Sequence, residues 1–575
     1  MKASLIIIAF AFSAGLLATG FHFHALPDEQ QSVDNGKILY AKYCSTCHGL
    51  DGKGEGTAAI YLNPKPRDFT RTIFKFQSTP VGGLPTDEDL HRTLQKGMPG
   101  SAMPAWDRLT DQQRSDLIAF IKTFSDRFKT EKPTDVLMIE KEPPPTPEMI
   151  RNGKAVYALA GCWMCHGKTG VGDGPSSPNL VDNLSRPIRP YNFTRAGAFK
   201  GGGRPQDIYR TFSTGIGGTP MPGYGEDALI MGKESAADLT SLESQYSQDE
   251  IQEIKNISQQ FPAESELTKF SSAQRKAFAD EKRWALVYYV LSLSKSGKPQ
   301  ISYTTTDHAL VSASVANAST FIDPASGTWQ SVKEIELPLI SLWQRDTPSD
   351  QVSVKTVNDG KTIAFRLEWE DATRDDEALY NAKFGDAAAI QFPLDAASDP
   401  FFGMGDTSFA VNIWHWKSWW EKDMQAYAGV NAAFKRNAAD FYPYDIAGGS
   451  TAEYFASKDS AKKVSMTWNA GWGSGNLISA QVHTSPVEDL NGRGFGTLTS
   501  QPVNEQNVKG RGTWKDGNWS VVFIRSFVFQ DKNDVSLTRG ATIPIAFAIW
   551  DGSLGDRNGQ KMVTNWYRLT IPSHQ

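Results

Sequence analysis

Cys44-Ser45-Thr46-Cys47-His48 and Cys162-Trp163-Met164-Cys165-His166 decide how this chain reads. Cys-x-x-Cys-His is the attachment signature of c-type haem, in which two thiols add to the porphyrin vinyl groups and the adjacent histidine ligates the iron. A bare Cys-x-x-Cys would serve equally as half a zinc site or as a thiol redox pair. Here both copies carry the His, and both are followed by a Met-Pro 59 residues after the first Cys, at Met103 and Met221. A His with a Met is an axial pair that raises the reduction potential. The motifs therefore predict two covalent haems. Cys44, Cys47, Cys162 and Cys165 attach them, and His48 with Met103 and His166 with Met221 ligate them.

The motifs sit in an internal repeat. Gly36-Lys37-x-x-Tyr40 precedes the first and Gly153-Lys154-x-x-Tyr157 the second. Gly52-x-Gly54-x-Gly56 and Gly170-x-Gly172-x-Gly174 follow, then Phe69-Thr70 and Phe193-Thr194. Asp89-x-x-Arg92-Thr93 matches Asp207-x-x-Arg210-Thr211, and Gly97 and Gly215 each stand six residues before their Met. Apolar periodicity predicts a closing helix in each unit, over 111–124 and 281–293. The repeat resembles the class I cytochrome c fold in tandem. That resemblance implies a closing helix packed on an N-terminal helix beside each motif, with glycine-rich loops around the haem.

Residues 27–140 make the first unit and 149–298 the second. The Pro-rich stretch 141–148 between them is expected to be a semi-rigid spacer that holds the units apart. An insertion over 226–280, rich in Ser, Glu, Asp and Gln, is expected to be a solvated surface excursion with a helix near 248–259; a docking element for a partner is the alternative. Met231 lies inside it and could stand in for Met221, but lacks the Met-Pro context.

With 575 residues the chain is too long for one core. The two motifs use all four cysteines, which leaves none for disulfides. A net charge of −5 makes no case for nucleic acid. Met1-Lys2 and a mostly apolar run to Phe21 read as an export segment within 1–26, either a cleaved signal peptide or a retained membrane anchor. Either form places the body in the periplasm or on the outer face of the cytoplasmic membrane.

From residue 299 the texture changes to short β-branched and aromatic runs separated by turn clusters, such as 352–357, 362–369, 388–392 and 519–525. The expected fold class is thus multidomain: two all-α units, then a β-sandwich over 299–575. This part has no Cys, so any haem in it is non-covalent. His308, His415, His483 and His574 are weak candidates by residue type alone.

Several segments together carry a second resemblance: Ala389-Ile-Gln-Phe-Pro393, Phe402-Gly-Met-Gly-Asp406, Val411-Asn-Ile-Trp-His-Trp-Lys417, Asp516-Gly-Asn-Trp-Ser-Val-Val-Phe-Ile-Arg525, Ala546-x-Ala-Ile-Trp-Asp-Gly552 and Asn558-Gly-Gln-Lys561-x-x-x-x-Trp566. They are similar to the haem b-binding gamma subunit of ethylbenzene dehydrogenase and its relatives. The resemblance implies one haem b held between Met404 and Lys561. A ligating lysine must be deprotonated, which requires burial to lower its pKa. Family members are commonly a single β-domain, whereas this chain places two haem-motif units in front.

His/Met and Met/Lys pairs leave no open coordination position, and catalysis at a metal needs one. Nucleophile elbow, phosphate loop and dinucleotide fingerprint are also missing. The expectation is an electron-transfer subunit and not a catalyst. The resemblance implies that it would relay electrons between molybdopterin and iron–sulfur subunits and a soluble or membrane cytochrome. Two alternatives stay open: a free-standing dihaem carrier, and a C-terminal sandwich that is a haem-free ligand- or protein-binding module. Peroxidase chemistry would require a haem that had lost its Met, and both Met-Pro stretches are intact.

Overall fold

Two glycines set the frame of the repeat. In the first unit the helix Glu29–Tyr43 crosses the closing helix Asp111–Lys122, and a Cβ on Gly36 would lie 1.9 Å from the Asp116 carbonyl oxygen. In the second, Pro147–Leu159 crosses Ser272–Ser292, and a Cβ on Gly153 would lie 2.0 Å from the Ala285 carbonyl oxygen. Backbone meets backbone at both crossings, so only glycine fits. Tyr40 and Tyr157 then tie each N-terminal helix to the end of its motif, donating to the carbonyls of Gly49 at 2.8 Å and Gly167 at 2.7 Å. The closing helices start at reciprocal caps, Thr110 with Gln113 and Ser271 with Gln274.

This computed structural model describes residues 29–195, 199–294, 302–345, 349–378, 380–425, 476–477, 483–528 and 532–573. The expected leader, 1–26, lies outside them, as does His574. Among the described residues no helix is long and apolar enough to cross a membrane.

Two expectations need correction. The insertion is not a solvated excursion. Its helix Gln248–Ser258 buries Ile251, Ile254 and Ile257, and Leu229, Leu239, Leu242, Tyr246 and Phe261 join them in the core of the second unit. Its polar composition belongs to the outward face of a layer whose inner face is apolar. Nor does the Pro-rich stretch hold the units apart. Tyr288 in the closing helix donates to the Pro143 carbonyl at 2.5 Å, and the units touch directly. Gly217 N–H donates to the Lys75 carbonyl at 3.0 Å and the Thr214 hydroxyl to the Gln77 carbonyl at 2.9 Å.

The C-terminal part is a sandwich of two sheets. Among the described residues the larger has nine strands; its main path runs Leu310–Val311, Tyr567–Thr570, Thr542–Trp550, Ala387–Pro393, Val411–Lys417, Val487–Gly492 and Thr499–Ser500. The smaller has six, with Lys509–Lys515, Asn518–Ser526, Thr362–Glu370 and Gln351–Asn358 in spatial order. Strand alternation divides the larger sheet's side chains between two buried faces. Ala388, Ile390, Phe392, Trp414, Trp416, Ile545 and Phe547 meet the smaller sheet's Phe365, Leu367, Trp519 and Phe523 in the sandwich core. Ala387, Ala389, Val411, Ile413, Ala546, Ala548 and Trp550 form the opposite face, and it is not solvated. The Phe401–Met404 loop, Trp566 and three residues of the first unit, Ala58, Leu62 and Ala102, cover it.

The first unit is fastened there by polar contacts. Asn63 N–H donates to the Leu342 carbonyl at 2.9 Å, Asn565 donates to the Ala105 carbonyl at 2.7 Å, and Arg108 pairs with Asp399 at 2.5 Å.

Candidate haem-binding sites

Each Cys-x-x-Cys-His forms a single helical turn at the mouth of a hollow. Cys44, Cys47 and His48 line the first hollow with Met103, Leu94 and Phe69. Cys162, Cys165 and His166 line the second with Met221, Phe212 and Phe193. Both histidines are held alike. His48 Nδ1 lies 2.9 Å from the Arg67 carbonyl oxygen and His166 Nδ1 3.2 Å from that of Tyr191. A carbonyl only accepts, so Nδ1 carries the proton and Nε2 keeps its lone pair. Phe69 and Phe193, partners in the repeat, stack on the two rings at centroid distances of 4.5 and 4.3 Å. Burial lowers both imidazole pKa values to about 4, which keeps them neutral and able to ligate.

None of the four cysteines is in a disulfide. Burial pushes the thiols of Cys44, Cys47 and Cys162 up to about 12 and raises that of Cys165. Two partly buried lysines also line these hollows. Burial brings Lys75 down to about 7 and Lys200 to about 8. Neither forms an ion pair among the described residues, and a group carrying carboxylates, as haem does with its two propionates, would supply a counter-charge. The residues and the neutral imidazoles thus fit a haem at each motif.

One potential ligand escaped the sequence reading. Met98, in Met98-Pro99, also lines the first hollow. Its N–H bonds to the Met103 carbonyl at 3.0 Å, and Ile216 N–H bonds to that of Met221 at 3.2 Å. Met98 therefore corresponds to Ile216, and only Met103 has a methionine counterpart in the repeat. Met231 packs in the core of the second unit and is not among the residues lining its hollow.

Met404 and Lys561 come to one layer, the outer face of the larger sheet. Met404 is buried in the cluster that contains Trp550 and Trp566, and Lys561 Nζ lies 4.7 Å from the centroid of the Trp550 ring. Gly405 N–H to the Phe401 carbonyl at 2.9 Å and Gln391 to the Phe402 carbonyl at 2.9 Å shape the methionine loop. They hold Met404 at φ 80°, a left-handed conformation that costs a non-glycine residue about 1–3 kcal/mol and clusters at functional sites. Lys561 follows the Asn558-Gly559 turn, and Trp550 Nε1 donates to the Asn558 carbonyl at 3.1 Å. Burial lowers the Lys561 ammonium to about 7.

Three observations fit a flat aromatic macrocycle here. Ala387, Ala389, Ala546 and Ala548 leave that face shallow, with Ala389 directly opposite Ala548. Lys561 is buried without a paired carboxylate among the described residues, and burial alone accounts for its lowered pKa. His415, opposite Ala389 on the next strand, keeps a buried Nε2 without a hydrogen bond. Its ring lies 4.8 Å from that of Trp550, and burial drives its pKa well below 6.5. The other two described histidines from the same reading, His308 and His483, lie elsewhere: His308 beside Tyr567 and His483 stacked on Trp420.

A separate group of carboxylates, Asp371, Asp386 and Asp551, is buried between the sheets' ends, with oxygens within 4.8 Å of one another. Burial and mutual repulsion raise Asp371 and Asp386 above the ordinary carboxylate range.

Comparison with known proteins gives family matches over all three parts of the chain. Residues 326–562 match the family model described as ethylbenzene dehydrogenase, and 33–125 and 150–242 each match cytochrome c. Together these matches imply binding of both b- and c-type haem. A Haloferax mediterranei protein described as a respiratory nitrate reductase heme subunit is 24% identical over 251 residues, 43% of this chain and 67% of that relative. The gamma subunit of dimethylsulfide dehydrogenase from Rhodovulum sulfidophilum is 26% identical over 261 residues, 42% and 73% of the two chains. A chain from the Kuenenia stuttgartiensis reducing HAO-like protein complex is 36% identical, covering 46% of this chain and 96% of its own, with a TM-score of 0.35.

Proposed function

We propose that this chain, two cytochrome c regions fused to an ethylbenzene dehydrogenase-type β-domain, is the electron-transfer subunit of a molybdenum and iron–sulfur oxidoreductase. It would hold two covalent c-type haems and one non-covalent b-type haem. The observation that carries the reading is the matched fixing of His48 and His166: each Nδ1–H is bound to a carbonyl, which leaves Nε2 for the hollow that also holds Met103 or Met221. Haem, when bound, supplies reversible one-electron chemistry at iron.

The residues of this chain do the rest. Four thiols would tether two of the groups, the imidazoles of His48 and His166 stay neutral, and Met404 and Lys561 would hold the third. The named relatives include the heme subunit of a reductase and the gamma subunit of a dehydrogenase, so this type of subunit serves either direction of flow. The site of action would be outside the cytoplasm, next to the partner enzyme.

A pyridine haemochrome assay after acid-acetone extraction tests the haem inventory. Two retained c-type haems and one extractable b-type haem are expected; two c and no b would favour a haem-free binding module. Mild purification of the native protein tests the partner. A molybdopterin protein should accompany it, and recovery as a lone monomer would count against the assignment.

A further inference from the structure

We infer that the three haem sites stand in a line, with the Cys44–His48 site in the middle and the Met404–Lys561 and Cys162–His166 sites at the two ends. The inference rests on the three-haem reading above and adds the order of the relay.

Shared walls carry it. Pro64, Lys75 and Phe76 line both covalent hollows, so one short segment of the first unit separates them. The second unit grips that segment through Gly217 and Thr214, which bond to the carbonyls of Lys75 and Gln77. On its other side, the first hollow is walled by Phe401 and Phe402 of the β-domain. The same two rings belong to the apolar layer around Met404, two and three residues before it. Cys47 borders that layer, and Ala102, next to the ligand Met103, lies within it. The middle site thus has one wall in common with each of the others.

The end sites have none in common. Among the described residues, no side chain lines the second hollow and also packs in the Met404 layer. The nearest approaches are Gln344 and Pro64, which line the second hollow two residues beyond Leu342 and Leu62 of that layer, and Tyr303 at the layer's edge, which shares a cleft with Tyr191 and Lys200. A triangular arrangement would have to run through these residues, and it is the rival. Tunnelling falls steeply with the gap between cofactor edges, so a shared wall marks the favoured step. One electron entering at the Met404–Lys561 site crosses the Phe401–Phe402 wall, then the Lys75–Phe76 wall, and leaves from the second unit. At each crossing one iron is oxidised and the next reduced, with no atom moved; the reverse direction uses the same walls.

Electron paramagnetic resonance of the oxidised full-length chain tests the order, because a ferric haem relaxes faster beside a paramagnetic neighbour. Three forms are compared: the unmodified chain, Cys162→Ala/Cys165→Ala, and Cys44→Ala/Cys47→Ala. Haem content is counted first. An absent b-type haem overturns the three-haem reading itself, whereas a b-type haem with the wrong neighbour overturns only the order. The b-type signal is expected to keep its relaxation enhancement in Cys162→Ala/Cys165→Ala and to lose it in Cys44→Ala/Cys47→Ala. Loss in the first variant, or retention in both, overturns the line. If a cysteine variant fails to fold, Met221→His and Met103→His retain the covalent haem and alter its signal. The b-type relaxation should then respond to Met103→His alone, and a response to Met221→His overturns the order.

Discussion

Lys561 shows how one residue's meaning depends on its surroundings. In the sequence it is a lysine after an Asn-Gly turn, and composition alone makes it a solvated turn residue. In the fold it is buried over Trp550 with its ammonium pKa brought down to about 7. Lys561→Ala is expected to weaken b-type haem retention roughly 10-fold or more, on the scale seen at other metal sites. Both covalent haems should remain, and the pyridine haemochrome spectrum before and after extraction reads the difference. Asp371 and Asp386 allow a pH prediction. Their folded pKa values lie above the ordinary 3.8, so between about pH 4 and neutrality the folded chain holds more protons than the unfolded one. Stability therefore falls as pH rises through that window, with a slope of up to about 1.4 kcal/mol per pH for each carboxyl that the fold keeps protonated. Asp371→Asn should flatten the slope, as followed by denaturant midpoints at a series of pH values. The proposed attachment residues are legible in the sequence because the chemistry of attachment fixes their spacing. Met98 is not, because only the hollow shows which methionines face the same space.

At the level of elements, the insertion is the instructive case. Its composition suggests solvent, yet Ile251, Ile254 and Ile257 fall three residues apart and face the core of the second unit. Composition averages over a helix, whereas burial selects one face of it. The periodicity is present in the sequence and is masked by the surrounding charge. Ile254 is fully buried, so Ile254→Ala should cost about 2–5 kcal/mol of the second unit's stability. A lowered thermal midpoint, monitored at the second covalent haem, checks it. The closing helices show the opposite outcome. The first is expected from residue 111 and begins there, while the second begins at Ser272, nine residues before the periodic stretch. Its polar first turns belong to the insertion, which the first unit lacks, and Arg275 there pairs with Asp227 at the insertion's start.

At the scale of the whole molecule, the fold class and order of parts are legible in the sequence, but the contacts between parts are not. Periodicity reports that a surface is buried and is silent on what covers it. The strand Ala387 to Pro393 is buried along its whole length, and the fold shows the first unit lying on the outer face of its sheet. Close approach of the two repeat units depends on Gly217, where a Cβ would lie 1.9 Å from the Phe74 carbonyl oxygen. Gly217→Val is expected to loosen the two units without releasing either covalent haem. Small-angle scattering should then report a larger radius of gyration at unchanged haem content.

The Phe401–Phe402 wall also bears on biogenesis. Once the β-domain has settled against the first unit, Cys47 is enclosed on that side, and the machinery that welds porphyrin to protein has lost its access. Synthesis runs from the N-terminus, so both Cys-x-x-Cys-His segments emerge before the residues that seal the first of them. Ligation must come early and closure late. A pulse-labelled chain truncated after residue 298 should therefore carry both covalent groups, and a full-length chain allowed to fold before haem is supplied should carry the second far more completely than the first.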